Sequence, residues 1–514
     1  MSSSSASHLT TSLNRAALEQ LSHLCILLAA ANKSCMKRDG IKYASGDSGK
    51  GAPLTEFQQY LSKLALICDT EKGKFTMTAL ACLEGAKGPE YVFASNYRKP
   101  MELEDTKKFL ERLLDYIVTN PEKHKPKTHK KQVLWRILEF NFGKLDYYLG
   151  TLVTVLDCCI NECEVRRRPA DHQILNRLYE LRNKVNFSRD MTTNDFQMQV
   201  DCETLIKAIH ASNNDSLEMV IESRIKEEHA GASENWYELR HYLGRLHSYR
   251  QASEVLVAAS IKWPELFKNA RISYISSARP KHIPVPKSSS INDIVSVALP
   301  EYDVPNLDAD IAELEAFNLG EEIRQQLQKR RMTTLIHGEV QLHNYLVQRR
   351  KINSSDFWSG SMFIATSKPS CRLCHYYFDS PTNDFKIQAS HMNIYPKWRL
   401  PDIYENQNEE AKERFEKVVE HIIEKMQHDL LQAFQNKVWD GKRHDSRTDS
   451  HRRMWTRATN LSRDTAEKEV QRERYSPGPA TPPPDDDESY ERISRDNYNT
   501  GDTESDGIGV GFAK

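Results

Sequence analysis

No stretch of this chain approaches the roughly 18 to 20 consecutive apolar residues that a membrane-spanning helix needs. An excess of charge is missing too. Lys and Arg number 71 against 72 Asp and Glu, a formal net charge of −1, so bulk charge signals neither nucleic-acid nor membrane binding and any basic surface must be local. The ten cysteines show no regular disulfide spacing. That usage fits a reducing compartment, where a cysteine pair at metal spacing is more readily a metal site than a staple. No internal repeat stands out, which argues against a solenoid. The N-terminal apolar stretch from Leu24 to Ala31 is short and follows Glu19 and His23. A secretory signal needs a basic start and a cleaner apolar run; an amphipathic helix is the better expectation. The composition, 28% charged and 39% hydrophobic, suits a soluble globular protein with some disordered length. The expected setting is intracellular, cytoplasmic or nuclear, with no membrane partner.

Residues 10 to about 285 read as mainly helical. Phe109, Leu110, Leu113, Leu114 and Ile117 recur at helical spacing. The run from Val133 to Glu164 predicts a buried helix or a helical pair, and Trp236 to Phe267 predicts a helical hairpin. Between these lies PEKHKPKTHKK, with Lys123, Lys125, Lys127, Lys130 and Lys131. It allows a phosphate-contacting loop, although charge runs are more often solvated connectors. Residues 277–305 are rich in Pro and Ser, as in a linker. A charged helix is expected over 309–331 and a long amphipathic one over 409–438. The latter carries Phe415, Val418, Val419, Ile422, Ile423, Met426, Leu430, Leu431 and Phe434 on one face. Beyond about 441 the chain is too poor in apolar residues to fold alone. The expected division is a helical domain over 1–290, an α/β domain over 291–405, an amphipathic helix over 406–440 and a disordered tail over 441–514.

Two short pieces carry chemistry. TTLIHGEVQLHNYL contains His337 and Glu339; SMFIATSKPSCRLCHYYF contains Cys371 and Cys374. Zinc deaminases carry H-x-E, a gap, then P-C-x-x-C. The gap from His337 to Cys371 is 34 positions, room for a helix, a loop and a strand. Val340, Leu342, Tyr345 and Leu346 support the helix, and the apolar run Ser361–Thr366 suits a buried strand. Pro369 is expected to open the next helix, with Cys371 and Cys374 on one face of it. A catalytic zinc takes three protein ligands and leaves a fourth position to water; His337, Cys371 and Cys374 supply three. Thiolates near a helix N-terminus gain from its dipole. Glu339, off the metal, is the candidate proton carrier.

IHGEVQL, FIATSKPSCRLC and NIYPKWRLP together resemble the cytidine deaminase-like superfamily, and within it the Orientia-type deaminase-like family widespread in fungi. The resemblance covers about 333–404. It implies a three-layer α/β/α domain, one Zn²⁺ held by His337, Cys371 and Cys374, Glu339 as proton shuttle, and an amino-bearing base in a nucleotide or single-stranded nucleic acid as substrate. The family's SK pair stands here as Ser367 and Lys368, and its YPKW-like segment as Tyr395 to Trp398. Gly338 stands where Ala or Val is commoner, and Ser370 separates Pro369 from Cys371. The superfamily's β-hairpin before the H-x-E helix is expected from Arg271–Ser277 and Ile291–Ala298, or in a remodelled form.

Blander explanations exist for each residue. A C-x-x-C pair also builds closed structural zinc knuckles, here with two of His337, His375 and His391. The protein would then be a non-catalytic interaction protein, binding protein partners through its helical region. His343, six positions after His337, is expected at the surface. Cys158, Cys159 and Cys163 sit in an apolar run and read as buried free thiols. Tyr395, Trp398 and Trp358 allow base stacking but pack a core by default.

Overall fold

A computed structural model of the chain describes residues 15–39, 53–73, 75–168, 171–188, 195–212, 216–226, 232–283, 285–300, 306–349, 351, 353–403, 407–438 and 441. Apart from Gly441, the expected disordered tail lies outside them. The described residues form fifteen α-helices and five strands. The first helices and strands are α1 (Arg15–Asp39), α2 (Glu56–Ile67), β1 (Thr78–Leu83) and β2 (Glu90–Ser95). Seven helices follow: α3 (Pro100–Thr119), α4 (Pro126–Phe140), α5 (Phe142–Arg166), α6 (Asp171–Val185), α7 (Asp195–Ser212), α8 (Ser216–Lys226) and α9 (Ala232–Lys262). Then come β3 (Arg271–Tyr274), α10 (Ile291–Ala298), α11 (Leu307–Glu315), α12 (Leu319–Arg331) and α13 (Gly338–Gln348). The series closes with β4 (Phe363–Thr366), α14 (Arg372–Asp379), β5 (Lys386–Ile387) and α15 (Glu409–Asn436).

The strands form one mixed sheet in the order β3-β2-β1-β4-β5. β1 pairs antiparallel with both β2 and β4, while β2–β3 and β4–β5 are parallel. Strand residues alternate between faces. Leu80, Cys82 and Phe93 point into a core shared with α2–α9, and Ala79, Ala81, Val92 and Ala94 into one shared with α1 and α10–α15. Helices therefore cover the sheet on both sides, which is the three-layer arrangement.

The β-hairpin comes from neither expected segment. It is β1–β2, from residues 78–95, so the sheet draws on chain from both sides of position 290. Its two apolar runs flank a connection carrying Gly85, Gly88 and Pro89, a hairpin signal overlooked in a region read as helical. Arg271–Tyr274 is a strand, but parallel to β2 and at the sheet edge. Ile291–Ala298 is a helix: Ser290 caps it by accepting from the Asp293 amide, and Ile294 and Ala298 are buried one turn apart.

Other expectations shift in the helical layers. Trp236–Phe267 is one long helix ending in a 3₁₀ turn at Pro264–Leu266, not a hairpin. Its apolar periodicity runs through Gly244 unbroken, a tolerable cost for one glycine. The 309–331 helix is two, separated at Asn318, which adopts the left-handed conformation at φ 66°. The basic run enters α4 at Pro126, and Lys131 lies over the Trp135 ring at 4.6 Å. The α1 stretch Leu24–Ala31 is buried on every side between α12 and α15 rather than amphipathic. Among the described residues no helix is long and apolar enough to cross a membrane.

Candidate metal centre

Two helix starts meet beside the strand ends at the centre of the sheet, next to the end of β2 and the end of β4. His337 precedes α13 in extended conformation at ψ 151°, and Cys371 stands in the same capping position before α14 at ψ 168°. The α13 start is fixed by the end of β2. The Gly338 amide donates to Asn96 Oδ1 at 2.6 Å, and Gln341 Nε2 donates to the carbonyls of Ser95 (3.0 Å) and Ile336 (2.8 Å). A Cβ on Gly338 would stand 3.1 Å from the Ala94 carbonyl oxygen, so this close approach explains the glycine where a larger residue is commoner. The α14 start differs from expectation: Pro369 does not open it. Cys371 is itself the cap, its Sγ accepting the Cys374 amide at 3.5 Å. The inserted Ser370 moves the helix start along the chain and hands the capping role to a thiol.

The three side chains converge. His337 Nδ1 lies 3.5 Å from Cys371 Sγ and 3.4 Å from Cys374 Sγ. The three donor atoms all lie within 4.8 Å of one another and could hold a metal ion. Neither His375 nor His391 belongs to the group. Trp398, fully buried, donates its indole N–H to Cys374 Sγ at 3.2 Å, so part of the YPKW segment orients a sulfur. Burial opposes ionisation of Cys371, yet the Cys374 thiol, the His337 ring and the Cys374 amide hold it well below the usual thiol range. Burial and the neighbouring Cys371 push Cys374 the other way.

Glu339, in the first turn of α13, is 0% exposed; its carboxylate has no ion pair and no hydrogen bond of ordinary geometry, and its polar neighbours are the Cys374 thiol and its own amide. Burial pushes its pKa up, against the pull of the His337 ring. A buried carboxylate without an ion pair is costly, so this position is poorly explained by folding alone. A cleft open on one side runs past the cluster, with an inner space of about 30 Å³. Its walls include His337, Cys371, Lys368, His391, Tyr395, Asn96, Met77 and Gly73.

Several sequence expectations end here. His343 is buried, not at the surface; its Nδ1 lies 2.9 Å from the Tyr377 hydroxyl and its ring packs edge-on against Phe385. Tyr395 lines the cleft, while Trp358 packs on the helical core. Cys159 and Cys163 are buried and Cys158 is exposed, and the three join no metal-type group among the described residues. The residues the sequence did not reveal are Asn96, Met77 and Gly73. They carry no local signal, because their counterparts in the site stand far along the chain, 242 positions for Asn96 and Gly338 and 295 for Gly73 and Lys368.

A family model described as an OTT_1508-like deaminase (OTT_1508_deam) matches residues 336–402, which spans His337, Glu339, Cys371, Cys374 and Trp398. The chain thus carries a deaminase-like domain in that span. No curated protein and no solved structure matches it.

Proposed function

We propose that the chain is a zinc-dependent deaminase that hydrolytically removes an amino group from a nucleobase, in a nucleotide or a nucleic acid. The observation that carries this is the juxtaposition of a three-donor N/S/S cluster, two of whose members line a cleft, with a fully buried carboxylate that has no ion-pair partner. Zn–N near 2.0–2.1 Å and Zn–S near 2.3 Å in a tetrahedron put nitrogen and sulfur roughly 3.5 Å apart. The distances of 3.5 and 3.4 Å from His337 Nδ1 to the two sulfurs fit that ion. A closed structural knuckle needs a fourth donor, and His375 and His391 stand outside the group, which favours an open site. His337, Cys371 and Cys374 would hold the ion, which supplies Lewis acidity and makes water a usable nucleophile near neutral pH.

Glu339 does the proton work. As water adds to the amino-bearing ring carbon, the carboxylate takes a proton from it and gives it to the ring nitrogen. A second transfer converts the amino group to ammonia as its C–N bond breaks, leaving a carbonyl on the base.

The test is metal content together with ammonia release from nucleosides, nucleotides and single-stranded RNA and DNA. One equivalent of zinc, lost in Cys371→Ser, and ammonia release reduced at least a hundredfold in Glu339→Gln are expected. A fully zinc-loaded protein that releases ammonia from no base overturns the proposal.

A further inference from the structure

The cleft is open on one side. A base that enters it to reach the metal-side groups leaves the rest of its strand at the mouth, against whatever stands beside it. Phe75 does not line the cleft but lies two residues from each of the cleft residues Gly73 and Met77, beside the mouth. Tyr97 follows the cleft residue Asn96 and is tied to Phe75, its amide donating to the Phe75 carbonyl at 2.9 Å. The two rings form an edge-on pair with centroids 6.0 Å apart, yet Phe75 remains 55% exposed and Tyr97 36%. Large aromatics left in solvent beside a polar site are poorly explained by packing.

The charge at the mouth points the same way. Asp69, 0% exposed, is held by Lys144 at 2.6 Å and lies 3.6 Å from Lys368. Lys144 alone matches its charge. Lys368 thus brings a surplus positive charge to the cleft wall, steadied by donation to the Gly73 carbonyl at 2.6 Å. On the adjoining turn, Glu71 and Lys72 are both exposed and offset each other.

Resting on the base-deaminase reading, we propose that the Phe75–Tyr97 rim stacks on an unpaired base next to the one in the cleft, with Lys368 on the phosphate between them. The occupant is then a single-stranded polynucleotide, not a free nucleoside or a duplex. Aromatic faces give sequence-tolerant stacking, and a cation beside them tracks the backbone. A duplex offers no free base face.

The experiment uses the full chain and fluorescein-labelled 15-residue single strands of mixed sequence, one RNA and one DNA, read by anisotropy. The two strands show which sugar the rim accepts. Phe75→Ala and Tyr97→Ala should each weaken binding about tenfold, whereas Phe75→Trp should preserve it. Circular dichroism should show all three variants folded, because both side chains are exposed. Lys368→Gln should flatten the salt dependence by about one phosphate contact, and Lys368→Arg should restore it. Unlabelled single strand should compete well, and mononucleotide or duplex poorly. Wild-type strength in both alanine variants, no strand binding at all, or equal competition by a mononucleotide overturns the proposal. Ammonia release separates the two claims. Strand binding that depends on the rim without deamination of any base sinks the enzymatic reading alone. Nucleoside deamination with a rim that does not affect strand binding sinks the rim alone.

Discussion

Asp69 and Glu339 are both carboxylates at 0% exposure near one cleft, and their surroundings are opposite. Asp69 accepts from the Thr76 hydroxyl at 2.7 Å and is ion-paired to Lys144 at 2.6 Å. Burial works against its charge, but Lys144 and Lys368 hold its carboxyl well below the usual carboxylate range. Glu339 has no ion-pair partner, only the Cys374 thiol and its own amide close by, and is pushed upward by burial. Two carboxylates of equal depth therefore differ in partnership: one is ion-paired and the other is not. A paired carboxylate ties elements together, here α5 to the loop after β4. An unpaired one raises the energy of the folded state and stays free to exchange a proton.

The sharpest way to test the contrast is to neutralise each group. Glu339→Gln should cut ammonia release by a factor of about 10² to 10⁴ while thermal unfolding stays at or above the wild-type midpoint, since a costly buried acid has gone. Asp69→Asn should do the reverse to folding. It strands Lys144, only 1% exposed, and should cost about 3–5 kcal/mol in chemical denaturation. Equal destabilisation by both substitutions would dissolve the distinction.

A smaller effect is expected where the site is held by contact rather than charge. In Gly338→Ala the added methyl meets the Ala94 carbonyl oxygen at 3.1 Å. The expected cost is about 1–3 kcal/mol, with reduced metal retention because His337 is the preceding residue. A variant as stable and as metal-rich as wild type would show that α13 can back away from β2.

The mildest perturbation is pH. Burial, with Arg414 adding to it, lowers the pKa of His343 to about 3. Its neighbour Tyr377 is pushed up by burial and stays neutral throughout. Between the unfolded value near 6.5 and the folded one, the unfolded chain binds the extra proton. Stability from keeping His343 neutral is thus complete above about pH 6.5 and falls as pH drops, by up to about 1.4 kcal/mol per unit. The Asp69 contribution persists until pH falls below the ordinary Asp range, near 4, because its folded value is depressed. Denaturation midpoints between pH 6.5 and 4 should accordingly decline in wild type and decline less steeply in His343→Phe, where His129, His210 and His375, also lowered by burial, keep part of the slope. A flat wild-type profile would mean that His343 is protonated without penalty.

The donor cluster was legible because its information is local. His337, Glu339, Cys371 and Cys374 occupy two short segments whose spacing implies a helix, a strand and a second helix, and those elements occur as α13, β4 and α14. Cys371 as its own helix cap was not legible, since Pro369 is the stronger start signal. The second wall was invisible for a different reason. Asn96, Met77 and Gly73 reach the site only through pairing of β1 with β4, a long-range contact that no local periodicity encodes. Ile291–Ala298 shows the converse error. Its apolar residues recur at 291, 294, 295 and 298, a helical period with a serine cap ahead, and that local pattern decides the element.

The sheet also orders events in time. The Thr78 amide donates to the Ser367 hydroxyl, across a chain separation of 289 residues. At synthesis rates of 5–20 residues per second, β1 waits roughly 15–60 s for β4 to be made. Meanwhile the β1 edge lies open to wrong partners. A fragment cut at position 290 would prolong that wait indefinitely, leaving the C-terminal piece with β4 paired only to the two-residue β5 and with half a cleft.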